Sequence, residues 1–226
     1  ERRHRMIGPA LAIARVKLVL EIRRREVIFA MLLFIAATIV IVHFALSGDT
    51  GAGNRAAAGM LWAAVVFTAV IGLLRTFSAE HEGGVLDALL LAPIDRAAIW
   101  LGTALAQFGF LVVIEIVAVP LWWALFFQKD GPSVGTVVLA LLLADIGIAL
   151  VGTLSSALAL GARTRDVLLP VLVLPLLIPV ILGGVTATYG AFGEDVGGLR
   201  PLGFLALYDL VFIALAWGTS EHLLGD

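Results

Sequence analysis

Residues 80–93 read EHEGGVLDALLLAP, a polar, patterned island that fixes how the apolar sequence around it must be divided. Val85, Leu86, Leu89 and Leu90 recur at spacings that place them on one face of a short helix. Gly83 and Gly84 precede this run, Glu82 and Asp87 punctuate it, and Pro93 closes it. On both sides the chain turns apolar for about 20 residues, the length of a membrane crossing. A short amphipathic helix between two crossings has a shape that a partner can grip.

Composition sets the class. Of 226 residues, 61% are hydrophobic and 14% charged, with a mean hydropathy of +1.07. A soluble domain is about half apolar and a quarter charged, so an all-α integral membrane protein is expected. The net charge of −2 argues against a nucleic-acid partner, which requires a basic excess. Without cysteine there is no disulfide, thiolate nucleophile or thiolate-held metal. His4, His43, His81 and His222 stand singly, without the spacing of a metal site. The first apolar run, residues 27–46, exceeds the roughly 7–15 residues of a signal core, and no A-x-A site follows it. It reads as a retained span, with Met6 a candidate natural start.

Six spans are expected: residues 27–46, 56–74, 97–127, 134–162, 167–185 and 202–218. The third is too long for one straight crossing, so Pro120 should kink it or its outer end should leave the hydrocarbon. The fifth carries Pro170, Pro175 and Pro179 and should be bent or broken. Residues 1–26 form a basic amphipathic segment. Lys17, Glu21, Arg24 and Arg25 cluster on one side, opposite Leu11, Val16, Val19, Leu20 and Ile22, as in a helix lying along a membrane surface. The glycine-rich stretch 186–203 reads as a flexible or re-entrant outer segment, and residues 220–226 as a tail.

Alternation of these spans collects Arg2, Arg3, Arg5, Arg15, Lys17, Arg23, Arg24, Arg25, Arg75, Arg96, Arg163 and Arg165 on one side. Only Arg55, Lys129 and Arg200 fall on the other. Positive charge marks the cytoplasmic side, which places both termini and residues 80–93 in the cytoplasm.

Three acids fall inside spans: Glu115, Asp145 and Asp209. Each costs about 2.5–3.5 kcal/mol at a helix centre, so each calls for a function or a specific partner. Counted from the outer helix ends, they lie roughly 18, 16 and 10 Å deep, which lets all three face one interior. They read either as the lining of a translocation path or a proton-titrating pair, or as acids bonded to Ser155, Thr153, Gln107 or bent backbone. Trp122, Trp123, Phe126 and Phe127 suggest an outer aromatic belt. Gly147, Ala149, Gly152, Ser155, Ser156, Ala157 and Gly161 give the fourth span a close-packing face, within the chain or across a dimer. No catalytic constellation and no phosphate-binding G-x-x-x-x-G-K-[ST] occurs, so the chain is not expected to be an enzyme.

Phe77, Glu82, the run Gly84, Val85, Leu86 and Asp87, then Leu89, Leu90, Leu91 and Pro93 are similar to the F…E…G-x-L-E-x-L-L-L-x-P pattern of ABC exporter permeases. With its size, six spans and basic N-terminal helix, the chain resembles the haem exporter permease family of cytochrome c maturation, CcmB. Asp87 and Ala92 depart from the usual Glu and Ser, and Gly83 stands where a charged residue is usual. The resemblance implies a type-two ABC permease in the bacterial inner membrane, paired with a CcmA-like ATP-binding subunit. Glu80, Glu82, Gly84, Leu86, Asp87, Leu89, Leu90 and Pro93 would couple the two, with ATP bound only by that subunit. It also implies CcmC- and CcmD-like membrane partners, a CcmE-like haem chaperone released by ATP hydrolysis, and two permease copies or a pseudo-symmetric partner. No cofactor is expected on the chain itself; haem would be cargo of the complex. The alternatives are a permease for drugs, lipids or polysaccharides, a proton-coupled secondary transporter using Glu115, Asp145 and Asp209, and a membrane scaffold.

Overall fold

The computed structural model describes residues 2–23, 25–46, 53–82, 96–126, 132–159 and 165–223. Among these the chain is all-helical, with seven helices. They are α1 (Arg2–Arg23), α2 (Arg25–Leu46), α3 (Gly53–Glu82), α4 (Arg96–Phe126), α5 (Val134–Ala159), α6 (Arg165–Ala191) and α7 (Arg200–Leu223). Five helices, α2 to α6, carry segments long and apolar enough to cross a membrane, so the chain is polytopic. The sixth expected span lies within α7, which is not among those five.

Helix α3 is the most enclosed of the five segments and α2 the most exposed. Around α3 stand α6, α2 and α4; α5 fills the space between α4, α6 and α7. Lipid offers these helices no hydrophobic drive to associate, so close contact depends on small residues and polar bonds. Glycines supply much of it. A Cβ on Gly184 of α6 would collide with the Trp62 ring of α3. One on Gly152 of α5 would lie 2.9 Å from a methyl of Leu73 on α3, and one on Gly147 2.9 Å from Asp209 on α7. The small face expected on the fourth span is thus used, at Gly147 and Gly152, inside the chain.

Several expectations give way here. Helix α6 runs unbroken through Pro170, Pro175 and Pro179, so of the bend or break expected there the break does not occur; α4 likewise continues through Pro120. The outer segment expected at 186–203 shrinks, because α6 continues to Ala191 and α7 begins at Arg200. Its turn is set by Gly193, Gly197 and Gly198, at φ of 89°, 77° and 67°, and by Asp195, whose Oδ1 accepts from the Gly197 N–H at 3.1 Å. Trp122 is no belt residue. It is 0% exposed, and its Nε1 donates to the Ala57 carbonyl at 3.0 Å. Position near a span end does not distinguish a belt tryptophan from one turned inward.

Helix α1 is packed chiefly on α4. Ala10, Ile13 and Lys17 form its buried stripe, while Leu11, Val16, Val19, Leu20 and Ile22 stay exposed. The Lys17 ammonium therefore points into the protein, donating to Thr103 Oγ1 at 2.8 Å, rather than away with the other cations. The apolar side opposite is the one left uncovered.

Candidate functional site

Two regions were singled out by sequence. Of the first, Glu80 and Glu82 fall in the last turn of α3. Gly84, Leu86, Asp87, Leu89, Leu90 and Pro93 lie outside the described residues. What can be described is the frame that carries them. Helices α3 and α4 run antiparallel, since Ala57 meets Trp122 and Gly72 meets Phe110. Their far ends are pinned by the Trp122–Ala57 hydrogen bond. Their near ends, Glu82 and Arg96, are bridged by the patterned stretch. The stretch thus joins two long helices that are tied together at the opposite end.

Helix α3 is held in turn to α6, because Trp62 lies against Gly184 and donates to Thr188 Oγ1 at 2.9 Å. Both partners of this bond are buried, where a polar contact between helices is worth about 0.6 kcal/mol and at most about 1.7. Helix α4 is held to α1 at Gly102, where an added Cβ would sit 2.8 Å from the Ala10 carbonyl oxygen. The sequence reading missed these contacts. Trp62, Thr188 and Gly184 had a visible signal, polar or absent side chains inside apolar runs, but nothing in the sequence pairs them.

The second region is the set of buried acids. Glu115 of α4 is 8% exposed and Asp145 of α5 is 0% exposed. Their carboxyl groups face each other closely enough to interact. Glu115 Oε1 and both oxygens of Asp145 have no hydrogen-bond partner. Asp209 of α7 is also buried, but it lies on a different side of α5, with Oδ1 against Gly147 and Oδ2 unpartnered. Two of the three acids are thus brought together and the third stands apart.

The side chains proposed as their partners do not serve. Thr153 donates to the Ala149 carbonyl of its own helix, the Gln107 amide nitrogen is buried without a partner, and both oxygens of Asp145 are left without a donor, from Ser155 or any other side chain. Beside Asp209, the Tyr208 hydroxyl donates to the Leu176 carbonyl of α6.

His43 is half-buried, edge-on to Phe126 at 5.2 Å and Phe44 at 5.6 Å. Among the described residues no group of three or more His, Cys, Asp or Glu is arranged to hold a metal ion. An apolar cavity of about 390 Å³ opens between α4, α5 and α7, lined by residues such as Trp100, Ala104, Phe108, Ala149 and Ile213.

The model of the CcmB protein family matches residues 9–222. Heme exporter protein B of Paracoccus denitrificans (strain Pd 1222) is 31% identical over 186 residues, 82% of this chain and 84% of that protein. Heme exporter protein B of Rhodobacter capsulatus is 30% identical over 185 residues, 81% of this chain and 84% of that protein. The protein of the same description from Pseudomonas aeruginosa is 28% identical over 185 residues, 81% of each.

Proposed function

The chain belongs to the CcmB family, the permease of the CcmAB ABC transporter in cytochrome c maturation, and from that premise we propose how it is driven and oriented. It is not itself catalytic; the family context supplies the ATP-binding subunit, CcmA. The observation that carries the reading is a match across residues 9–222, nearly the whole chain.

In this proposal residues 80–93 form the coupling element. Leu86, Leu89 and Leu90 enter an apolar groove on the ATP-binding subunit, in the manner of an amphipathic helix docking. Asp87 and the α3 terminus at Glu80 and Glu82 set the register by pairing with cations there. When two ATP-binding subunits close, the element moves and carries the near ends of α3 and α4. The pinned far ends turn that movement into tilt, and Trp62 relays it to α6.

The lysine and arginine asymmetry supports cytoplasmic termini in a bacterial inner membrane. Helix α7, with 24 residues, is long enough to make the sixth span of a type-two permease. The complex would include CcmC- and CcmD-like proteins and act on a haem-loaded, CcmE-like chaperone, with haem as cargo rather than cofactor. Two permease copies or a pseudo-symmetric partner would complete the membrane part.

The test is co-purification of the ATP-binding subunit with a Leu89→Glu permease. Loss of the subunit, with membrane insertion intact, is the expected outcome. Normal recovery of the complex would remove residues 80–93 from the interface.

A further inference from the structure

Glu115 and Asp145 have no part in the docking reading, yet both are buried inside the bundle. They come from different helices, α4 and α5, and their carboxyl groups face each other inside the bundle. Two carboxylates placed side by side without a cation would repel, and each would also have left water. A compensating cation is not at hand. Apart from Glu115 and Asp145, the titratable residues of α4 and α5 end with Arg96, at the helix start.

On α3 the nearest charges in sequence are Arg55 and Arg75, toward its two ends, and on α2 they are Arg25, Glu26 and His43. Helix α6 offers Arg165, Asp166 and Tyr189, again near its ends. Helix α1 turns Lys17 to Thr103, about three turns before Glu115 on α4. Across α5 the groups are Tyr208 and Asp209 of α7, which add no positive charge.

An independent observation comes from α3. The Thr68 hydroxyl is buried, its residue 2% exposed, with no hydrogen-bond partner. Thr68 lies one turn from Gly72, on the face that looks onto Phe110 of α4. The antiparallel register of α3 and α4, set by Ala57 with Trp122 and Gly72 with Phe110, brings Thr68 to within about two residues of the level of Glu115. Three helices thus present unpartnered polar groups at one depth.

We propose that Glu115 and Asp145 bind a single shared proton, one carboxylic acid donating to the other group's carboxylate oxygen and so tying α4 to α5. The proton removes one charge and converts a repulsive contact into a hydrogen bond, at the same level as the unpartnered Thr68 hydroxyl of α3. Loss of the proton leaves two anions that push α4 and α5 apart. The permease thus holds a proton-binding site at the contact between its central helices, set apart from the surface that meets the ATP-binding subunit.

Isotope-edited infrared spectroscopy of the intact complex in nanodiscs tests this. With aspartate or glutamate carboxyls carbon-13 labelled in turn, the wild-type protein should show one protonated-carboxyl band per chain at neutral pH. Glu115→Gln combined with Asp145→Asn should abolish it, and Asp209→Asn should leave it in place. Absence of the band overturns the proposal, as does its persistence in the double variant. Loss of the band on adding sodium at fixed pH also overturns it, because a metal cation would then hold the pair. Should the double variant fail to assemble, Glu115→Gln and Asp145→Asn made singly decide the assignment: each should remove or shift the band, and a band unchanged in both overturns the proposal. Retained subunit binding in these variants separates this site from the docking surface.

Discussion

Two sets of buried polar side chains in this bundle show opposite chemistry. Around α3, the indoles of Trp62 and Trp122 each find an acceptor on another helix, Thr188 Oγ1 and the Ala57 carbonyl. Between α4, α5 and α7, the acids Glu115, Asp145 and Asp209 hold oxygens with no partner. Both kinds of group stand in low dielectric, where an unmet polar atom costs more than in water. The first region has spent its polarity on fixing helix positions. The second keeps polarity in reserve, which a structural role alone does not require.

Three substitutions can break or sharpen this contrast. The largest effect should come from Gly184→Val, which drives a side chain into the Trp62 ring. Overpacking of this kind costs about 3 kcal/mol, and thermal unfolding in detergent should show a clear loss of stability. Trp122→Phe should do less, about 1 kcal/mol, since it keeps a ring and deletes only the donor to Ala57. Its signature would be faster hydrogen exchange near the start of α3, around Ala57, where the pin lies. Smallest should be Glu115→Gln with Asp145→Asn, which keeps shape and hydrogen bonding; its unfolding temperature should stay near that of the parent. A collapse of the double variant comparable to Gly184→Val would place the acids with the structural group and erase the contrast.

The apolar spans were legible because the bilayer excludes charge, so the five segments can be read as runs. Glu115 and Asp145 were legible too, because counting residues from helix ends gives depth. Azimuth was harder: depth alone grouped Asp209 with the pair, and only the packing of α7 on Gly147 separated them. Trp122 was misplaced for a similar reason, since a tryptophan near a span end is equally suited to head groups or to a buried carbonyl. The prolines of α6 do not break it, because in a packed bundle neighbours can supply what a lone helix lacks. Lys17 shows the same limit: a wheel assigns it to the polar side, but Thr103 of α4 decides which way that side turns.

Gly102 bears on how the machine meets its surroundings. By lacking a side chain it lets the Ala10 and Ile13 turn of α1 rest directly on α4. Helix α1 is then an outrigger fixed to the mast of α4. Any tilt of α4 must drag the exposed leucines and valines of α1, with Arg15 and Arg23 beside them, through whatever medium adjoins them. The stiffness and charge of that medium become a mechanical load on the stroke, so one small residue links the work done by the transporter to the drag of its membrane.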